Sequence, residues 1–106
     1  MKDDQTYIKN ILDSIEKIER FTKEVNKDDF LNNQMMQGAV ILQLTLIGEE
    51  ANKISDTTKS KITLAWKEIV GFRNMVIHEY MNLDLGIVWD TIEEDIPVLK
   101  KELSNS

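Results

Sequence analysis

One stretch of the chain, Arg73-Asn74-Met75-Val76-Ile77-His78-Glu79-Tyr80, holds residue types that can do chemistry. It contains the single histidine, five residues after one of two arginines and two before one of two tyrosines. Arginine is a permanent cation whose planar fork suits a phosphate, and histidine exchanges a proton near neutral pH. Together they suffice, in principle, to break a phosphodiester without a metal. In RNA the nucleophile is already present as the 2′-hydroxyl. The protein supplies a base for it, a cation for the crowded phosphorane and an acid for the departing 5′-oxygen. The plain alternative is that all three are ordinary helix residues.

Helix geometry constrains such a site. At about 100° and 1.5 Å per residue, Arg73 and His78 stand about 140° apart around an ideal helix and about 7.5 Å apart along it. One straight helix does not close both on a single phosphate, whereas Arg73 and Tyr80, about two turns apart, align. Either the helix loosens around His78, or a second copy faces the first across a two-fold axis. A place near a helix C-terminus, beside Glu79, suits a histidine that must carry and release a proton.

The elements that position these residues are helical throughout. Ile8, Ile11, Leu12, Ile15, Ile18 and Phe21 recur at helical spacing and predict a first helix over about 4–25. Asn26-Lys27-Asp28-Asp29 reads as a turn in which either aspartate caps the next helix. That helix, expected over about 29–54, is apolar on nearly every side: Met35, Met36, Val40, Ile41, Leu42, Leu44, Leu46 and Ile47 all belong to it. A core this small hardly surrounds such a helix, so one stripe is expected inside the monomer and another against a second copy. Ser55–Ser60 reads as a polar connector. A third helix follows over about 63–80, a break at Asn82-Leu83-Asp84 and a last helix capped by Asp84. Pro97 predicts a kink in that helix, or a restart with proline in its first turn. Short turns make consecutive helices antiparallel, giving an all-α, up-down bundle of four main helices.

Bulk properties set outer limits. The 106 residues form a single domain spanning 1–106, 42% hydrophobic and 30% charged, with a net charge of −6. That charge argues against a general nucleic-acid binder with a basic face, though not against one local cationic spot. The absence of cysteine removes disulfides, thiolate metal sites and a cysteine nucleophile. No metal or cofactor is expected. The polar, acidic start Met1-Lys2-Asp3-Asp4-Gln5 does not read as a signal peptide, and the longest apolar stretch is too short for a bilayer. A cytoplasmic protein is expected.

R-x-x-x-x-H-x-Y, with Asn74 after the arginine, resembles the signature of HEPN domains (higher eukaryotes and prokaryotes nucleotide-binding). It is most similar to the HepT-type toxins of HEPN/MNT toxin–antitoxin pairs. Ile47-Gly48-Glu49-Glu50-Ala51, Trp66, Gly71-Phe72-Arg73-Asn74, Leu85-Gly86-Ile87-Val88-Trp89 and Asp95-Ile96-Pro97 extend the likeness from about Tyr7 to Leu103. The resemblance implies a homodimeric, metal-independent endoribonuclease, the toxin of a type VII-like pair. Its partner would be a nucleotidyltransferase (MNT) antitoxin that transfers AMP to Tyr80. Arg73 would stabilise phosphate charge and His78 would act as base or acid. Asn74 would orient the phosphate or the histidine, and Tyr80 would complete the site and accept AMP. Glu49 or Glu50 would brace Arg73 across the bundle, and Trp66 and Trp89 would pack. The competing reading is a non-catalytic dimer that binds a partner protein or a nucleotide.

Overall fold

The computed structural model describes residues 3–105, and its regular elements are helices. Met1 and Lys2, part of the N-terminal stretch read above, lie outside the described residues. Helix α1 (Asp4–Phe21) starts where the Asp3 carboxylate accepts the Thr6 N–H, and it buries Ile8, Ile11, Ile15 and Ile18. Each isoleucine removed from water contributes about 1.5–3 kcal/mol, so this stripe fixes which side of α1 faces inward.

The expected second helix is two helices. Helix α2 (Lys27–Leu31) ends at Asn32, and α3 (Gln34–Lys53) begins afresh where the Asn33 side chain accepts the Met36 N–H at 3.0 Å. Two consecutive asparagines, residues that favour caps over helix interiors, explain the break. Asn26, not an aspartate, is the α2 cap; Asp29 closes the reciprocal box by accepting the Asn26 N–H.

The polar connector is also more structured than expected. Residues 56–61 form α4 (Asp56–Lys61), capped by Ser55. Asp4 of α1 accepts from the Ser55 N–H at 3.0 Å and the Ser55 hydroxyl at 2.6 Å, and also from the Thr58 hydroxyl. The start of α1 is thereby tied to the end of α3, and the two long helices run antiparallel.

Helix α5 (Trp66–Glu79) packs along α3 and contains no fully buried residue. Its first residue anchors it, because the Trp66 indole N–H is shared between the carbonyls of Ile62 and Lys59. A 3₁₀ turn, Tyr80–Asn82, leads to Asp84, whose carboxylate accepts the N–H groups of Gly86 and Ile87 as expected of a cap. Helix α6 (Leu85–Asp90) then passes through a π-helical turn (Thr91–Asp95) into α7 (Ile96–Ser104).

Pro97 lies in the first turn of α7. The irregularity expected there takes the form of a wider π turn, which accommodates a residue without an N–H and with a bulky ring. Trp89 is core, its ring 5.4 Å from that of Phe30. The result is an antiparallel, up-down helical bundle with α3 central, between α1 and α5.

Candidate active site

All four residues singled out in the sequence stand on α5 or in the turn that follows it. Arg73 is half-buried against α3. Its Nε–H donates to the Glu49 carboxylate, and its Nη1–H donates to Asn74 Oδ1 at 3.0 Å. Glu50, the other candidate brace, turns away: it accepts from Asn10 of α1 at 3.0 Å and lies 3.5 Å from the Lys53 ammonium.

Gly48 explains how α5 comes so near. A Cβ there would lie 2.8 Å from the Arg73 Cβ and 3.0 Å from the Ile69 carbonyl oxygen. Only hydrogen fits between the two helices at this point. Sequence reading had placed Gly48 in a motif without seeing this role. The available signal was a glycine inside a helix that is otherwise strongly apolar.

His78 occupies the last turn of α5, exposed and without a side-chain hydrogen bond among the described residues. The helix runs through His78 itself. The backbone departs one residue later, at Glu79 (φ −137°, ψ 30°), and Tyr80 opens the 3₁₀ turn with half its surface exposed. The loosening expected near His78 thus begins at the residue that follows it.

An exposed apolar face adjoins these residues. On α3, Met35, Leu42 and Leu46 remain open, with Met35 87% and Leu42 55% exposed. Their spacing places them on one side of the helix, and Glu49 continues the row. On α5, one step of four residues from Arg73 reaches Ile77, 54% exposed, and Met81, 89% exposed, stands in the turn that follows the helix. The two rows meet at the Glu49–Arg73 ion pair. Of the many apolar residues of α3, Val40, Ile41, Leu44, Ile47 and Ala51 are buried in the monomer.

A groove of about 390 Å³ lies elsewhere, between α3, α5 and the last helix. Leu44, Ile47, Ile69, Phe72 and Leu99 line it, and it does not include Arg73, His78 or Tyr80. Among the described residues, no three carboxylate or imidazole side chains converge as a metal-holding group, and no helix is long and apolar enough to cross a membrane. Trp66 and Trp89 both pack against the core.

The site thus offers a guanidinium braced on two sides, a solvent-facing imidazole one turn further on and a phenol at the helix end. Such a set can hold an oxyanion and move a proton. Comparison with known proteins identifies the family. Residues 11–105 match the family model described as ribonuclease HepT-like. "Putative RNase MJ1380" of Methanocaldococcus jannaschii is 37% identical over 103 residues, spanning 96% of this chain and 94% of that protein. "Probable ribonuclease HepT" of Thermococcus cleftensis is 39% identical over 95 residues, 89% of this chain and 86% of the relative. "Putative RNase TTE0752" of Caldanaerobacter subterraneus subsp. tengcongensis is 32% identical over 104 residues, 97% of this chain and 93% of its own length. No solved structure gave a match. The chain belongs to the ribonuclease HepT-like family, of the HEPN type.

Proposed function

We propose that this protein is a metal-independent endoribonuclease that works as a homodimer, with Arg73 and His78 of both subunits around one cleft. The observation that carries the reading is the braced guanidinium of Arg73 on the same helix as an exposed His78 that has no side-chain hydrogen bond among the described residues. One imidazole takes the 2′-hydroxyl proton as the oxygen attacks phosphorus. Arg73 stabilises the added charge on the phosphorane, and a protonated imidazole gives its proton to the departing 5′-oxygen. The products are a 2′,3′-cyclic phosphate and a 5′-hydroxyl. The exposed apolar side chains Met35, Leu42 and Leu46 of α3 and Ile77 of α5 support a second copy as the source of the other half. Asn74 orients the guanidinium it accepts from.

In the cell the protein would be a toxin paired with a nucleotidyltransferase antitoxin. AMP passes from ATP to the Tyr80 oxygen with release of pyrophosphate. The added phosphodiester charge sits beside Arg73 and the adenosine fills the cleft. The half-exposed position of Tyr80 is compatible with an incoming nucleotide.

The test is cleavage of RNA by purified protein in excess EDTA, wild type beside His78→Ala. Cleavage by wild type alone, with cyclic phosphate ends, is the expected result. Loss of wild-type activity in EDTA, or 5′-phosphate ends, refutes the metal-free mechanism. A second reading, a non-catalytic dimer that binds a partner protein or a nucleotide, is favoured by the net charge of −6 and by the neutralisation of Arg73 by Glu49. Silence from both proteins selects it.

A further inference from the structure

The guanidinium of Arg73 has five N–H donors in a rigid fork, and the carboxylate and amide around it use two of them. Glu49 takes the Nε–H and Asn74 takes one Nη1–H. Among the described residues, the donors left over belong to the Nη end of the fork. A phosphate seeking two parallel N–H groups therefore meets the guanidinium end-on, through Nη1 and Nη2, because its Nε edge is occupied.

We infer that Glu49 is the positioning residue of the site: it clamps the Nε edge of Arg73 so that the Nη edge faces the scissile phosphate. The inference rests on the reading of Arg73 as the phosphate-binding group. Three features make Glu49 a clamp rather than a chance neighbour. It follows Gly48, where α3 and α5 lie so near that an added Cβ would stand 2.8 Å from the Arg73 Cβ. Its neighbour Glu50, rotated by about 100° on the helix, is committed to Asn10 and Lys53, so only one carboxylate of the pair addresses α5. Finally, the Arg73 and Glu49 side chains are 37% and 40% exposed, so the clamp stands where an RNA strand can reach the free end of the fork.

The arrangement has a drawback that gives it a signature. A carboxylate beside the cation weakens its pull on phosphate, so Glu49 lowers affinity while it improves geometry. Removing the charge but keeping the acceptor separates the two effects. Glu49→Gln is expected to keep kcat within about threefold of wild type, since its amide oxygen still accepts the Nε–H, and to lower KM for RNA. Glu49→Ala is expected to lower kcat by about 10- to 100-fold, the scale of loss when a catalytic group is misplaced by about 1 Å. Its KM should not rise, and its melting temperature should stay within a few degrees.

A second readout needs no RNA cleavage. The chain has two arginines, Arg20 and Arg73, so two Nε–H resonances are expected in a ¹⁵N-edited spectrum, assigned through Arg20→Lys. A slowly exchanging Arg73 Nε–H in wild type and Glu49→Gln, lost in Glu49→Ala, supports the clamp. Equal exchange in all three overturns it. So does a Glu49→Ala protein with undiminished kcat. If wild type cleaves no RNA while the spectra behave as stated, the Glu49–Arg73 contact stands, but the nuclease reading falls and with it the positioning role assigned to Glu49.

Discussion

Gly48→Ala tests whether the close passage of α5 over α3 holds the site together. The new Cβ would stand 2.8 Å from the Arg73 Cβ and 3.0 Å from the Ile69 carbonyl oxygen, atoms that move only with the α5 backbone. Carbon atoms rest about 3.5–4.0 Å apart, so α5 must retreat by about 0.7–1.2 Å. Overpacking of this kind costs about 1–3 kcal/mol, against a helix-propensity gain of about 1 kcal/mol for replacing a mid-helix glycine. Gly71, inside α5, supplies the control, because an added Cβ there meets nothing within 4 Å. Gly71→Ala should show the propensity gain alone. The difference between the two variants then isolates the overpacking, about 1–3 kcal/mol. For a domain of this size, each 1 kcal/mol is about 4–8 °C in Tm. Thermal melts followed by circular dichroism at matched protein concentration are the assay. Gly71→Ala should melt above wild type and Gly48→Ala at or below it, with nuclease activity of Gly48→Ala reduced about tenfold or more as Arg73 is displaced. If both variants melt equally above wild type, the close approach is not a constraint and the reasoning fails.

Three further outcomes are expected. Asp4 is held below the ordinary carboxylate range, first by its hydrogen bond from the Ser55 side chain and then by that from Thr58. Its contribution is therefore present above the unfolded value of about 3.9 and is lost as pH falls through the lower folded value. Asp4→Asn should melt below wild type at pH 7, and the gap should close under about pH 4; a gap independent of pH would contradict this. Tyr80→Phe should fold and associate as wild type but gain no AMP mass increments from the cognate nucleotidyltransferase with ATP, read by intact-mass analysis; the same increments would place the acceptor elsewhere. Light scattering at micromolar concentration should give a dimer for wild type and a monomer for Leu42→Glu combined with Leu46→Glu; monomeric wild type would count against the shared cleft.

The all-helical character, several helix ends and the segment proposed to carry the chemistry were legible in the chain by itself. These are local matters: Ile8, Ile11, Ile15 and Ile18 share a face because of the helical period, and Asp84 caps because its side chain reaches backbone two and three residues on. Asn33 and Ser55 are equally local starts, and reading across them merged α2 with α3 and left α4 as a connector. What the tertiary structure decided is how the helices meet. Glu49 and Glu50 are adjacent and chemically alike, and periodicity could not tell which one reaches Arg73. A rotation of about 100° around α3 separates them, and its setting follows from the burial of Val40, Ile41, Leu44, Ile47 and Ala51 between α1 and α5. The same packing required glycine at position 48 and left α5 without a fully buried residue, its chemistry-bearing side on the surface. Contacts between distant segments depend on how whole helices pack, and the spacing of residues along one helix does not carry that information.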